Sequence, residues 1–238
     1  MPRSTLWSAI RDTLSDEIGR GRYGPGDRLP TEARLAERFG VNRHTVRRAL
    51  AALAEAGAIH SRRGAGVFVS RRPTDYPLGR RVRFHQNLEA AGRSPGKTAL
   101  LLETRTADPR EAAALALDEG DKVHVYEGLS TADGDPIALF RSVFPAERFA
   151  GLLDHLRRTP SVTAAFEAEG LTDYIRAETR LTAKSASATQ AKHLRLAEGA
   201  PLLRAVAINR DGAGRPVEYG HTWFAGDRVT LTVGTPPD

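Results

Sequence analysis

The chain has 238 residues, 40% hydrophobic and 27% charged, enough for one small and one medium domain. No run nears the roughly 18 apolar residues of a membrane span and no signal-peptide pattern opens the chain, so a cytoplasmic protein without membrane contact is expected. Cysteine is absent, which excludes disulfides, thiolate nucleophiles and cysteine-bound zinc.

Charge is segregated. The first 72 residues hold 14 Lys+Arg against 7 Asp+Glu, and the remainder holds 21 against 22. A basic N-terminal module on a neutral body points to a polyanionic partner for that module alone.

In chain order, Leu6, Ile10, Leu14 and Ile18 recur every four residues and predict a first helix with one apolar stripe. A glycine-rich loop over 19–26 ends it. Leu29-Pro30-Thr31-Glu32 then opens a second helix, with Thr31 as cap and Glu32 in the first turn, and Leu35, Ala36 and Phe39 supply its apolar face. Gly40 breaks that helix, and Asn42 caps a third, expected over about 43–56. Val46, Ala49, Leu50 and Leu53 form its packing face, while Arg43, His44, Arg47 and Arg48 fall mostly elsewhere.

Arg43 and Arg47 stand one turn apart, and no acid lies between Glu37 and Glu55. Local sequence thus leaves the two arginines without an acceptor, which duplex DNA supplies as phosphates and guanine edges. Next, Ile59-His60-Ser61 and Val67-Phe68-Val69 flank the basic, glycine-rich tip Arg62-Arg63-Gly64-Ala65-Gly66. That is the pattern of a β-hairpin wing whose arginines enter a minor groove. Residues 1–70 are therefore expected to form a winged helix-turn-helix.

Residues 71–78 read as a linker, and 79–238 as an α+β domain. Strands are expected over 98–106, 122–131, 136–144, 174–182, 202–210, 216–224 and 229–233, and helices over 109–117, 147–156, 162–169 and 187–196. Asp133-Gly134-Asp135 and Gly212-Ala213-Gly214 are hairpin turns, so the sheet is expected to be antiparallel, with helices on one side. No His-x-x-x-His, Gly-x-Ser-x-Gly, P-loop or dinucleotide fingerprint occurs, so no enzyme, metal or cofactor is expected. The best ligand-binding candidates are Arg80-Arg81-Val82-Arg83-Phe84-His85-Gln86-Asn87, which runs into a helix start, together with Arg141, Glu218, Tyr219 and Trp223. Strand alternation sets Glu218 on the opposite face from Tyr219 and Trp223.

The stretch Leu29-Pro30-Thr31-Glu32, then Phe39-Gly40-Val41-Asn42-Arg43-His44-Thr45-Val46-Arg47-Arg48-Ala49-Leu50, with the wing Arg63-Gly64-Ala65-Gly66-Val67-Phe68-Val69, resembles the GntR family of bacterial regulators. The resemblance implies operator contacts from Arg43 and Arg47, a phosphate contact from Thr45, and minor-groove contacts from Arg63 and Gly64. The family's arginine after the motif glutamate is Ala33 here, and Arg34 follows it as the candidate contact.

Ala197-Glu198-Gly199-Ala200-Pro201-Leu202-Leu203 and Gly214-Arg215-Pro216-Val217-Glu218-Tyr219 resemble the UTRA sensor domain of the HutC subfamily, which has a chorismate-lyase-like fold. Arg72-Pro73, Asp75-Tyr76-Pro77-Leu78 and Arg83-Phe84-x-Gln86-Asn87-Leu88 are similar to the branch of that subfamily that represses phosphonate-utilisation operons. The resemblance implies a homodimer on a short inverted-repeat operator, released by a small anionic effector. Gly128 and Ser130 stand where such sensors often carry two anion-binding arginines. Arg83, Arg141 or His85 are then expected to compensate, for a different, phosphonate- or phosphate-like anion. Other readings are a HutC-type repressor of sugar, amino-acid or antibiotic-related genes, and an enzyme fused to a DNA anchor.

Overall fold

The computed structural model describes residues 5–62, 66–70, 73–79, 84–90 and 92–233, apart from the side chains of Arg62, His85 and Gln86. The expected roles of Arg63, Gly64, Arg81 and Arg83, and those of these three side chains, lie outside what is described. The chain divides into two compact units, Met1–Arg72 and Pro73–Asp238.

In the first unit, α1 (Leu6–Gly19), α2 (Glu32–Phe39) and α3 (Arg43–Glu55) precede a hairpin of β1 (Ile59–Arg62) and β2 (Gly66–Val69). The helix starts follow from their caps. The Thr31 side chain accepts from the Arg34 N–H at 3.4 Å, and that of Asn42 from the Thr45 N–H at 2.9 Å. Gly40 ends α2 in the left-handed region at φ 62°, a conformation that favours glycine. The stripe of α1 buries Ile10 and Leu14 against Leu35, Val46, Leu50 and Leu53. Each fully buried leucine there contributes roughly 1.5–3 kcal/mol. Arg28 bridges to Phe68, adding a third short segment to the hairpin. At Gly66, with φ +115°, an added Cβ would lie 2.7 Å from Arg28 Nε, so only glycine lets that side chain cross the wing.

The second unit starts with β3 (Thr74–Pro77) and α4 (Phe84–Ala90). Then follow β4 (Pro95–Thr106), α5 (Pro109–Leu115), β5 (Lys122–Ala132), β6 (Asp135–Pro145), α6 (Leu152–Arg158) and α7 (Val162–Ala168). The chain closes with β7 (Tyr174–Ser185), α8 (Ala188–Leu194), β8 (Pro201–Asp211), β9 (Pro216–Ala225) and β10 (Val229–Thr232). Six strands form one antiparallel sheet in the order β4-β5-β6-β9-β8-β7, and β3 pairs in parallel with β10.

The sheet is built from two βαββ halves, β4-α5-β5-β6 and β7-α8-β8-β9, that meet where β6 pairs with β9. One sequence interval separates three matching pairs: the capping-box residues Asp108 and Ser187, the left-handed caps Ala116 and Arg195, and the turn glycines Gly120 and Gly199.

Two expectations are corrected. Helices cover both faces of the sheet. Leu115 of α5 packs on Val123, Val125 and Val143, whereas α6 and α7 pack on Tyr126, Phe140 and Phe144 from the opposite side. The interior strands β5 and β6 are buried at most positions on both faces, as covering from both sides requires. The stretch expected to be a linker also contains β3. Its alternation of buried Thr74 and Tyr76 with exposed Asp75 and Pro77 is a strand pattern, and Tyr76 packs on Phe224 at 5.3 Å between ring centroids.

Candidate functional site

On α3, Arg43, His44, Arg47 and Arg48 are exposed and Thr45 is half-buried, while Thr31 and Arg34 are exposed at the start of α2. Arg34, Arg43 and His44 make no side-chain hydrogen bond or ion pair among the described residues. Arg47 does. Its Nη2 lies 2.8 Å from Glu32 Oε2 and its Nε 3.2 Å from Oε1, a two-pronged pair. The expectation that Arg47 lacks a protein acceptor is therefore corrected: the acid comes from the neighbouring helix, beyond the reach of i, i+4 reasoning. The hydrogen bonds from Arg47 hold the Glu32 carboxyl below its ordinary pKa. Arg48 lies over Trp7 of α1 at 4.7 Å from the ring centroid, beside Arg11 at 5.7 Å, a cation–π arrangement. Sequence reasoning missed Arg28, which crosses the wing at Gly66.

In the second unit a cavity of about 360 Å³ opens on the sheet face that also carries α7. Into it come Lys97 of β4, Ser142 of β6, Arg176 of β7, Asn209 of β8 and Glu218 of β9, with Tyr76 and Phe84 closing one side. Of the expected ligand-binding residues, Phe84 and Glu218 meet there. Asn87 sits behind them, its amide donating to the Pro77 carbonyl at 3.4 Å.

Arg141, Tyr219 and Trp223 lie on the other face and do not line this cavity. Arg141 pairs with Glu111 at 3.3 Å and Glu127 at 3.4 Å. Tyr219 packs with the α5 core and Trp223 with that of α8. Period-two alternation decides it: Phe140, Ser142, Gly220 and Thr222 line the cavity, so the residues between them cannot.

Lys97, Ser142, Arg176 and Asn209 are among the polar residues of the cavity that sequence reasoning missed. Lys97 precedes the expected strand start. Arg176 and Asn209 interrupt strands as Arg141 does, so the same signal marks all three and only the face distinguishes them.

Within the cavity, Glu218 accepts from Ser142 Oγ at 2.6 Å and from Asn209 Nδ2 at 2.6 Å. The Lys97 ammonium sits over Phe140 at 4.9 Å and Phe84 at 5.3 Å. The residue is half-buried, and loss of hydration around the ammonium pushes the pKa down to about 8, against a smaller opposing pull from Glu218. Burial likewise raises the Tyr76 hydroxyl to about 12.

Gly128 and Ser130 also have a structural account. Ser130 is buried on the cavity wall. At Gly128 a Cβ would stand 2.5 Å from Phe140 Cζ and 2.6 Å from the Thr98 carbonyl oxygen, so the Phe140 ring fills the space a side chain would need. The ring that excludes an arginine there supports the Lys97 ammonium.

Residues 6–69 match the family described as bacterial regulatory proteins, gntR family, and residues 90–230 match the UTRA domain. The chain belongs to the gntR family of bacterial regulators. Within it, the chain is 35% identical to the probable transcriptional regulator PhnF of Escherichia coli K12, over 96% of this chain and 95% of that one. It is 40% identical to the uncharacterized HTH-type transcriptional regulator RB1450 of Rhizobium meliloti, over 97% and 95%. The crystal structure of PhnF from Mycobacterium smegmatis aligns at a TM-score of 0.65 with 28% identity, covering 96% of this chain and all of that one. This gntR-family chain is a DNA-binding transcriptional regulator of the UTRA-bearing, HutC type and not an enzyme. No described helix is long and apolar enough to cross a membrane.

Proposed function

We propose that this regulator is a homodimeric cytoplasmic repressor of phosphonate- or phosphorus-utilisation genes, released from a short inverted-repeat operator by a small anionic effector. The observation that carries the effector reading is the pair of cations in one cavity, Lys97 and Arg176, neither of which forms an ion pair among the described residues. A cation with a depressed pKa gains most from an anion that restores its charge. The relatives named PhnF support a phosphonate or a related oxyanion as that anion.

On the DNA side, exposed Arg43, His44 and Arg47 at the leading turn of α3 suit the major groove, with Thr31, Arg34 and Thr45 near phosphates and the wing beside the minor groove. Arg48, drawn over Trp7, is better placed to steady α1 than to read bases. A single module makes few base contacts, and two-fold symmetry doubles them. The effector acts by favouring one arrangement of the paired modules over another.

Fluorescence anisotropy on a duplex carrying the inverted repeat tests this reading. Arg47→Ala is expected to weaken specific binding by about 10- to 100-fold while leaving effector affinity intact. Added alkylphosphonate is expected to release the wild-type complex. Operator binding untouched by Arg47→Ala would overturn the reading-helix assignment, and a complex indifferent to phosphonates would overturn the proposed effector.

A further inference from the structure

The cavity that holds Lys97 and Arg176 also holds the opposite need. Glu218, an acceptor only, receives two hydrogen bonds, from Ser142 and Asn209, out of about four that a carboxylate accepts. Because Glu218 accepts, the Asn209 amide must present its NH₂ to it, which fixes the amide orientation and turns Oδ1 away. Asn209 is 8% exposed, and its Oδ1 has no donor among the described residues. Arg176, its register partner across β7 and β8, gives it nothing, and Arg176 Nε is itself buried without a hydrogen-bond partner among the described residues. Neither Lys97 nor Arg176 pairs with Glu218. Among the described residues, donors without acceptors and acceptors without donors therefore line one open cavity.

A plain anion without a hydrogen-bond donor cannot satisfy both sets, and a hydroxyl that donates to Glu218, as Ser142 does, leaves the carboxylate's charge uncompensated. A plain anion answers Lys97 and Arg176, but brings a like charge towards Glu218 and leaves Asn209 Oδ1 unmatched. A neutral molecule leaves the Lys97 ammonium without compensation. We propose, on the effector reading above, that the effector is a small zwitterion: an anionic head group received by Lys97 and Arg176, joined by a short chain to a protonated amine that donates to Glu218 and Asn209 Oδ1. A cavity of about 360 Å³ lies near the lower limit for small-molecule sites and suits a compact molecule of this kind.

Titration calorimetry on the full chain tests this with two matched pairs of probes, ethylphosphonate against 2-aminoethylphosphonate and propionate against β-alanine. For at least one head group the amine is expected to strengthen binding about tenfold, the worth of a hydrogen bond to a charged group. In Glu218→Gln that gain is expected to vanish while the parent anion still binds. Asn209→Ser provides a second variant in which the gain is expected to shrink. Equal affinity within each pair overturns the zwitterion and leaves the anionic effector standing. A gain that persists undiminished in both variants overturns the assignment of the amine to Glu218 and Asn209. If none of the four probes binds, the effector reading falls and this inference falls with it.

Discussion

On the α5 side of the sheet, Glu111 is met on every side. Both guanidinium nitrogens of Arg105 reach it at 2.7 Å, the Asp108 N–H at 2.9 Å and Arg141 at 3.3 Å. On the cavity side, Glu218 has two partners, and the cations around it have no ion pair among the described residues. Strands β4 and β6 contribute to both sites, Arg105 and Arg141 to the one and Lys97 and Ser142 to the other, so the difference lies in the face and not in the strands. A carboxylate with its acceptor capacity filled has nothing left to offer a ligand and serves stability. One with unspent capacity, beside unspent donors, is prepared for a ligand at some cost to stability. The two βαββ halves repeat the contrast: the capping-box residue is buried, charged Glu111 in one and neutral Gln190 in the other. Only the first half builds an ion network on its helix start.

The largest effect that tests this contrast is expected at the filled site. Glu111→Ala removes a side chain 4% exposed, opens the capping box and takes from Arg105 and Arg141 the acid they share, leaving them Glu103 and Glu127 at 3.4 Å. Because Arg105 and Arg141 are 29% and 35% exposed and rehydrate in part, the cost falls at the lower end for a broken buried pair, about 3 kcal/mol. A thermal melt should fall by about 6–12 °C, with effector affinity per folded molecule unchanged. Burial alone would raise the Glu111 carboxyl, but the hydrogen bonds from Arg105 and the Asp108 N–H outweigh it and the pKa lies below its ordinary value. Its contribution is therefore fully present above the unfolded carboxylate pKa and is lost as pH falls from there through the lower folded one. A melt of Glu111→Ala matching wild type at pH 7 would show that this network does not stabilise the fold.

How far these two sites were legible in the sequence follows from their geometry. The winged module was readable because its signals are local: Asn42 and Thr31 cap where they stand, Gly40 stops α2, and the stripe Leu6–Ile18 repeats with the helix. Arg47's partner was not, since Glu32 lies on a separate helix. In the sensor unit the hairpin turns and most strands were readable. The helices on both faces were not, although the burial of most of β5 and β6 left a trace in their apolar runs. Selecting site residues by charge and aromaticity gathered residues from both faces, and alternation, applied to Glu218, Tyr219 and Trp223 alone, was not carried to Arg141 and Arg176. Lys97 was lost with the first residues of β4, an error of strand boundary.

At the open site the effect should appear in binding and hardly in stability. Lys97 has a folded pKa near 8, below its unfolded value, so the folded state pays for the charge at neutral pH, and stability attributable to this group rises as pH goes from about 8 towards 10.5. Lys97→Met should leave the melting temperature at pH 7 equal or slightly higher, while weakening effector binding about tenfold, as expected for loss of a charge-assisted contact. The ratio of wild-type to variant affinity, which cancels the ligand's own titration, should decline as pH passes through 8. A constant ratio would mean that Lys97 does not hold the anion in its charged form.

The smallest effect is expected at Glu32, where the contrast meets an exposed surface. Its pair with Arg47 resembles the filled site in geometry but not in environment, since Arg47 stands 64% exposed and water competes for every hydrogen bond. Glu32→Gln should leave the melting temperature unchanged within measurement. Its consequence belongs to DNA. The carboxylate holds the guanidinium in one direction and repels phosphates, so the variant should bind non-specific duplex about two- to threefold more tightly as one negative charge is lost. Specific affinity should gain less, because the free arginine must be ordered at the base edge, and the ratio of specific to non-specific binding narrows. If both affinities rise by the same factor, Glu32 merely competes with DNA for Arg47. If the ratio narrows, this exposed pair sets the aim of the reading arginine, and a carboxylate with a filled partner serves recognition without contributing to the stability of the fold.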